Sequence, residues 1–278
     1  MISFDFEYYK PTSIQEAVDL FANLDSQGKA PIYYGGGTEI ITSARLNRIK
    51  AGSVIDIKGI TECNVLENKN NRVAIGSAVT LTKISEANIF PLLTKVIRLL
   101  ADHTSRNKIT LGGNLCGNIA YRETVLPLLL SDSTIMIVGS NGNKNVLINE
   151  VFSEKPVLKR GEFVVQVITD EKYMNLHFKH IKRTKQERVD YPLLTVAMIK
   201  KDNEIRAAFS GLCGFPFRSY DVETYLNDTS TSLDIRIDSI INHLSDSISN
   251  DILASSEYRK FVLRNTLTDM LKEMEGVS

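Results

Sequence analysis

Apolar residues recur at Ile14, Ala17, Val18, Phe21 and Leu24, the spacing of a helix with one buried face. Ser13 followed by Glu16 forms a capping box ahead of it, and Gly28 is placed to stop it. The period then shortens. Pro31-Ile-Tyr-Tyr34 reads as a strand, Gly35-Gly-Gly37 as a turn, Thr38 to about Arg48 as a helix, and Ser53-Val-Ile-Asp-Ile57 as a buried strand. Strand, glycine turn, helix and strand predict a small parallel α/β unit.

After about residue 60 the pattern becomes α+β. Arg72–Gly76 is strand-like, while Leu81 to Asn88 and Pro91 to Ala101 have helical texture. Thr134–Val138, the turn Asn141-Gly142 and Asn145–Ile148 predict a hairpin, with Phe163–Ile168 a further strand. In the last hundred residues Leu176 to Lys182 is expected to be a strand. Leu193–Lys200 and Glu204–Phe209 form an antiparallel pair joined by Lys201-Asp-Asn203. Helices fill the remainder, the last from about Ser256 to Met274, with Tyr258, Arg259, Phe261 and Leu267 packed on it. No internal repeat, low-complexity tract or long linker interrupts the chain, so its subdomains are expected to pack on one another.

Composition narrows the classes. At 278 residues, with 43% hydrophobic and 24% charged, the chain suits two or three packed subdomains. Lys plus Arg (33) equals Asp plus Glu (33), which leaves no net field to attract nucleic acid. The longest apolar runs, such as Val125-Leu-Pro-Leu-Leu-Leu130, are too short to cross a bilayer. The start, MISFDFEYYK, lacks the basic flank and greasy run of a signal peptide. Cys63, Cys116 and Cys213 are too widely spaced for a disulfide framework or a metal-cluster motif. A soluble cytoplasmic protein without an iron–sulfur cluster, metal site or membrane insertion is expected.

Two glycine-rich elements carry the candidate chemistry. Tyr33-Tyr-Gly-Gly-Gly-Thr-Glu-Ile40 is a glycine turn leading into a helix start, where bare backbone and aligned N–H groups suit a diphosphate. No Gly-Lys-Ser/Thr follows, so it is not a P-loop, and the spacing is wrong for Gly-x-Gly-x-x-Gly. A tight turn alone accounts for one or two glycines; three in a row before Thr38 shift the reading toward an anion site. Thr110-Leu-Gly-Gly-Asn114 poses the same alternatives, a bulged loop or a second donor surface. Two such elements in adjoining subdomains suggest one extended dinucleotide clamped across their interface.

At these residues the chain resembles a family. Gly35-Gly-Gly-Thr-Glu39 resembles the first flavin loop of the FAD-binding subunit of molybdenum hydroxylases, the group that includes xanthine dehydrogenase and carbon monoxide dehydrogenase. Arg106-Asn-Lys-Ile-Thr-Leu-Gly-Gly-Asn114 resembles the second loop, usually written RNxATxGGN. The likeness continues in order through Glu123-Thr-Val-Leu-Pro127, Phe178-Lys-His-Ile-Lys-Arg183 and Ala254-Ser-Ser-Glu-Tyr-Arg259.

The resemblance implies an α+β architecture of the two-lobed PCMH/VAO-like type. A small α/β lobe (1–58) and a larger α+β lobe (59–174) would hold FAD, ahead of a C-terminal α+β domain of antiparallel sheet and helices (175–278). Carried over by residue, Tyr33, Tyr34, Gly35, Gly36, Gly37, Thr38, Glu39 and Ile40 would wrap the pyrophosphate. Thr110, Gly113 and Asn114 would bind from the other side, with Gly117 allowing close passage. Leu100 and Ala101 align with pocket-lining positions, Val164 with an apolar position near the nucleotide or ring, and Lys179 with a basic residue near the flavin. Glu123 stands where the family generally has Asp. Tyr33 and Tyr34 replace aliphatic residues, and either stack on the cofactor or pack in the core. Arg106 anchors its loop or meets a phosphate. Lys179 and Lys182 both fit the flavin-side lysine, and a solvated strand face explains them equally simply. The segment after Arg183, Thr-Lys-Gln-Glu-Arg-Val-Asp190, is longer than in many relatives, and its Glu187 and Asp190 argue against a nucleic-acid patch. His103 and His177 read as ordinary surface or satisfied histidines.

No Ser/His/Asp set, paired carboxylates or metal constellation is evident, so no catalytic residue is assigned. Flavin chemistry needs none, since the cofactor carries the electrons. The resemblance implies an electron-transfer subunit working with a molybdopterin-binding large subunit and a small subunit holding two [2Fe–2S] clusters. NAD⁺ or another acceptor would take the electrons, and xanthine or a similar purine would be the substrate. The alternatives are a stand-alone flavin oxidoreductase, like the reductase acting on UDP-N-acetylenolpyruvylglucosamine, and a non-catalytic nucleotide-binding module.

Overall fold

The computed structural model describes residues 1–152, 154–185 and 190–276. Two compact units interleave along the chain. Met1–Ile89, Asp102–Gly117 and Asp132–Glu171 form the first; Phe90–Ala101, Asn118–Ser131 and the described residues from Lys172 onward form the second.

The first unit opens with β1 (Glu7–Tyr9), α1 (Ile14–Ser26), β2 (Pro31–Tyr34), α2 (Thr38–Arg45) and β3 (Ser53–Asp56). The strands make a parallel sheet in the order β1-β3-β2, and every residue of central β3 is buried. The predicted start of α1 is present. Ser13 Oγ accepts the Glu16 N–H at 3.2 Å, while the Glu16 carboxylate reaches back to the Thr12 N–H at 2.7 Å, one residue before the cap. Gly28, at φ +71°, ends it. There the Lys29 N–H reaches the Leu24 carbonyl and the Gly28 N–H the Asp25 carbonyl, both at 3.0 Å. Strand β1 has no counterpart in the hydrophobic pattern, because three largely exposed residues show no alternation and only pairing to β3 makes them a strand.

Next come β4 (Leu66–Lys69), β5 (Arg72–Gly76), α3 (Leu81–Ala87), α4 (Pro91–Arg98), α5 (His103–Arg106), α6 (Leu111–Cys116) and α7 (Val125–Leu130). β6 (Thr134–Gly139), β7 (Gly142–Leu147), α8 (Ile148–Val151) and β8 (Phe163–Asp170) complete this stretch, with α4 and α7 in the second unit. The five strands pair antiparallel in the order β4-β5-β8-β6-β7. β4 is too polar to predict; its hairpin turns on Asn70 and Asn71, both left-handed at φ 54° and 60°. The predicted hairpin turn shifts by one residue, since Gly139 pairs with Gly142 and the turn is Ser140-Asn141. Both sheets share a core with α1. The Tyr33 ring lies 4.9 Å from that of Phe21 and 4.4 Å from that of Phe163, so one aromatic column ties β2, α1 and β8 together.

The second unit continues with β9 (Phe178–Thr184), β10 (Pro192–Lys201), β11 (Glu204–Ser210), β12 (Phe217–Arg218), α9 (Tyr220–Leu226), α10 (Leu233–Leu244) and α11 (Ser256–Glu275). The sheet is antiparallel, ordered β12-β11-β10-β9. The β10–β11 hairpin turns on Asp202 and Asn203 at φ 52° and 68°. Leu194, Val196, Met198, Ala207 and Phe209 pack one sheet face into a core with the last helices. α4 lies against β9, and α7 against β10 and β11. Glu187 lies outside the described residues. Among these, no helix is long and apolar enough to cross a membrane.

Helix α11 corrects part of the sequence reading. Leu267 and Arg259 are buried, but Tyr258 and Phe261 are 51% and 60% exposed and stack on each other instead of packing inward. Arg259 is a hub. It donates to the carbonyls of Leu193 (3.2 Å), Gly211 (3.1 Å) and Ser249 (3.2 Å) and to the Asp251 carboxylate (2.7 Å). Arg259→Met keeps bulk but strands these acceptors. It is expected to cost about 3 kcal/mol, measured as a lowered midpoint in urea unfolding.

Candidate functional site

The first glycine element turns from β2 into α2. Gly37 adopts φ +74°, ψ −2° as the N-cap, and its carbonyl accepts the Ile41 N–H at 2.8 Å. α1, α10 and α11 are each capped by a serine side chain, whereas α2 starts with none. A helix start without a side-chain cap keeps its donor-rich, partially positive character. The Thr38 side chain beside it is exposed, while Glu39 and Ile40 are half-buried.

The second element is helix α6, not the bulged loop its glycines suggest. Thr110 caps it by accepting the Gly113 N–H at 3.2 Å, which converts Leu111–Cys116 into a short helix. Gly112 is needed because a Cβ there would lie 2.6 Å from that of Ser77. The N–H groups of Leu111 and Gly112 bond the Val79 and Ser77 carbonyls at 3.0 and 2.9 Å. Ser77 N–H in turn reaches Val165 at 2.9 Å, next to the buried Val164 of β8.

The two elements meet. A Cβ on Gly36 would fall 1.8 Å from the Lys108 carbonyl oxygen, and one on Gly35 would fall 2.9 Å from Thr110 Oγ1. One on Gly117 would fall 2.6 Å from Glu39 Oε2. Tyr33–Ile40 and Arg106–Gly117 are thus brought into backbone contact within one unit, with Asn114 buried in α6 and Arg106 half-buried at the end of α5. Of the two tyrosines, Tyr33 is a core residue whose hydroxyl donates to the Gly161 carbonyl at 3.1 Å. Tyr34 folds back over Gly37, whose Cβ position lies 2.2 Å from the Tyr34 hydroxyl oxygen.

One residue here escapes sequence reasoning. Lys58 Nζ donates to the Gly35 carbonyl at 2.9 Å and lies 4.4 Å from the centre of the Tyr34 ring. It also pairs with Asp56 at 2.9 Å. Its only sequence signal is a lysine two positions past a buried strand that ends in Asp. Burial opposes ionisation of Asp56, but the Tyr8 hydroxyl and Lys58 outweigh it and hold the carboxyl below its usual range. The same bond pushes Tyr8 up to about 12. Burial raises Tyr34.

In the second unit Lys182 and Glu123 form a buried pair at 3.3 Å. Glu123 also accepts from Thr195 Oγ1 at 2.7 Å, and Lys182 donates to the Leu99 carbonyl at 2.9 Å, beside buried Leu100 and left-handed Ala101. Burial raises the Glu123 carboxyl above its usual range, opposed by Lys182 and Thr195. Lys179 points the other way and pairs with Glu273 of α11. A single solvated face does not hold both lysines, because residues three apart on a strand alternate sides and Lys182 is buried. His180 shares the Lys182 face, is 7% exposed, and neither ring nitrogen has a partner among the described residues. His103 and His177 are exposed.

Two outcomes follow from this geometry. Gly36→Ala forces the loops apart and is expected to cost about 2 kcal/mol, seen as a lowered thermal midpoint. Burial, with Lys95 and Lys182, pushes His180 down to about 4 from 6.5. The unfolded chain therefore binds the extra proton first, and stability present above pH 6.5 is lost as pH falls toward 4. The loss is about 3 kcal/mol, and His180→Gln should flatten the stability–pH curve across that window.

Residues 4–169 match the family described as the FAD binding domain in molybdopterin dehydrogenase. The glyceraldehyde dehydrogenase medium chain of Sulfolobus acidocaldarius is 26% identical, over 97% of this chain and 98% of its own. The xanthine dehydrogenase FAD-binding subunit of Escherichia coli O157:H7 is 24% identical, over 92% and 89%. Carbon monoxide dehydrogenase from Hydrogenophaga pseudoflava, solved lacking the Mo-pyranopterin moiety of its cofactor, contains a chain of the same fold. Its TM-score is 0.88 with 20% identity, covering 99% of both chains. With more than half of its residues matching the family's domain, this chain belongs to the FAD-binding family of molybdopterin dehydrogenases.

Proposed function

We propose that the chain is the FAD-carrying electron-transfer subunit of a cytoplasmic molybdenum hydroxylase complex. Its partners are a molybdopterin-binding large subunit and a small subunit with [2Fe–2S] clusters, and NAD⁺ or another acceptor takes the electrons. The supporting observation is the meeting of Tyr33–Ile40 with Arg106–Gly117 at the uncapped start of α2, inside the matched domain. FAD, when bound, supplies the acceptance and release of electrons. The chain's residues hold it. Backbone N–H groups of Tyr33 to Ile40 would bind the pyrophosphate, with Thr110, Gly113 and Asn114 completing the cradle and Gly117 letting the chain pass closely.

Val164 would provide apolar contact. The two curated relatives are named for glyceraldehyde and xanthine, so the substrate follows the large subunit; a purine of the xanthine type is our assignment.

The test is purification of the native complex. It should contain molybdenum and iron, release FAD on denaturation, and show flavin bleaching with substrate or NADH. The chain expressed alone should bind FAD without turning over any organic substrate. Turnover by the isolated chain, or a native complex without molybdenum, would overturn the assignment.

A further inference from the structure

We propose that Lys58 is a positioning residue of the FAD loop: by holding the Gly35 carbonyl it sets the Gly35–Gly36 peptide plane and aims the Gly36 N–H at the diphosphate. This rests on reading Tyr33–Ile40 as the pyrophosphate loop. No peptide bond is cis among the described residues, so the Gly35 C=O and the Gly36 N–H point in opposite directions across one planar unit. Fixing the oxygen therefore fixes the donor. A pair of glycines has little intrinsic preference for one orientation of that plane, so an outside constraint is needed.

Lys58 can supply it because its own side chain is tethered. Its ammonium sits 2.9 Å from Asp56 Oδ2, and its backbone N–H donates to Asp56 Oδ1 at 2.9 Å. The Tyr34 ring lies 4.4 Å below the ammonium. Asp56 is itself 2% exposed and accepts from the Tyr8 hydroxyl. Lys58 thus acts through a carbonyl rather than on the anion.

The decisive experiment measures FAD affinity of the flavin-free chain by fluorescence quenching, alongside hydrogen exchange of the amides from Tyr34 to Ile41. For the wild type, FAD should protect those amides; absence of protection would refute the loop reading itself. Lys58→Met should then raise Kd about tenfold and lower the thermal midpoint, because buried Asp56 loses its ammonium partner, while the salt dependence of binding should match that of the wild type. An unchanged Kd, or a flattened salt dependence indicating a direct phosphate contact, would overturn the positioning role while leaving the loop reading intact. Should Lys58→Met not fold, Lys58→Arg decides, because it keeps the charge and donors. A Kd within about threefold of wild type supports the proposal, and a tenfold loss refutes it.

Discussion

The carbonyl oxygen of Lys108 occupies the space where a side chain at Gly36 would begin, 1.8 Å from the ideal Cβ. That contact joins two segments about seventy residues apart in the chain, and the candidate site exists only because they touch. It also revises what the glycines are for. Gly35 and Gly36 are bare so that one loop can lie on another. Gly37 is bare because the chain must pass through φ +74° beneath the Tyr34 ring to enter α2. In the function proposed above, diphosphate binding falls to what remains, the uncapped helix start and the N–H groups leading to it.

The contact could not hold without the core beneath it. Tyr33, two residues before Gly35, is clamped between Phe21 and Phe163 and hydrogen-bonded to Gly161, so the loop leaves β2 from a fixed point. The other segment is held by backbone bonds to Ser77 and Val79, and Ser77 is bonded to β8. A site made mostly of backbone depends on such anchoring, because it has few side chains of its own to fix geometry.

The second unit uses buried polarity differently. Lys182, Glu123, Thr195 and the Leu99 carbonyl satisfy one another, whereas His180, two residues before Lys182 on the same strand face, has no partner for either ring nitrogen among the described residues. A buried charge pair is a poor source of stability, and an unpaired imidazole is a cost. Neither is therefore explained by fold stability alone.

Element type was largely legible in the sequence wherever a periodic apolar face reported burial. The capping residues of α1, the paired strands β10 and β11, and the span of α11 follow from local spacing and cap chemistry, and the ordered glycine motifs carried the family. Tertiary structure decided what has no local signature. β1 and β4 are strands only through their partners, and α6 is a helix because Thr110 caps it against Ser77 and Val79. Lys182 differs from Lys179 because one strand face is covered by α4 and the other meets α11. Lys58 gained its role from the adjacency of β2 and β3, which sets it beneath a carbonyl distant in sequence. Periodicity records which way a residue faces along its own element, whereas a hydrogen-bond partner depends on which elements pack together, and that is settled only when the chain closes on itself.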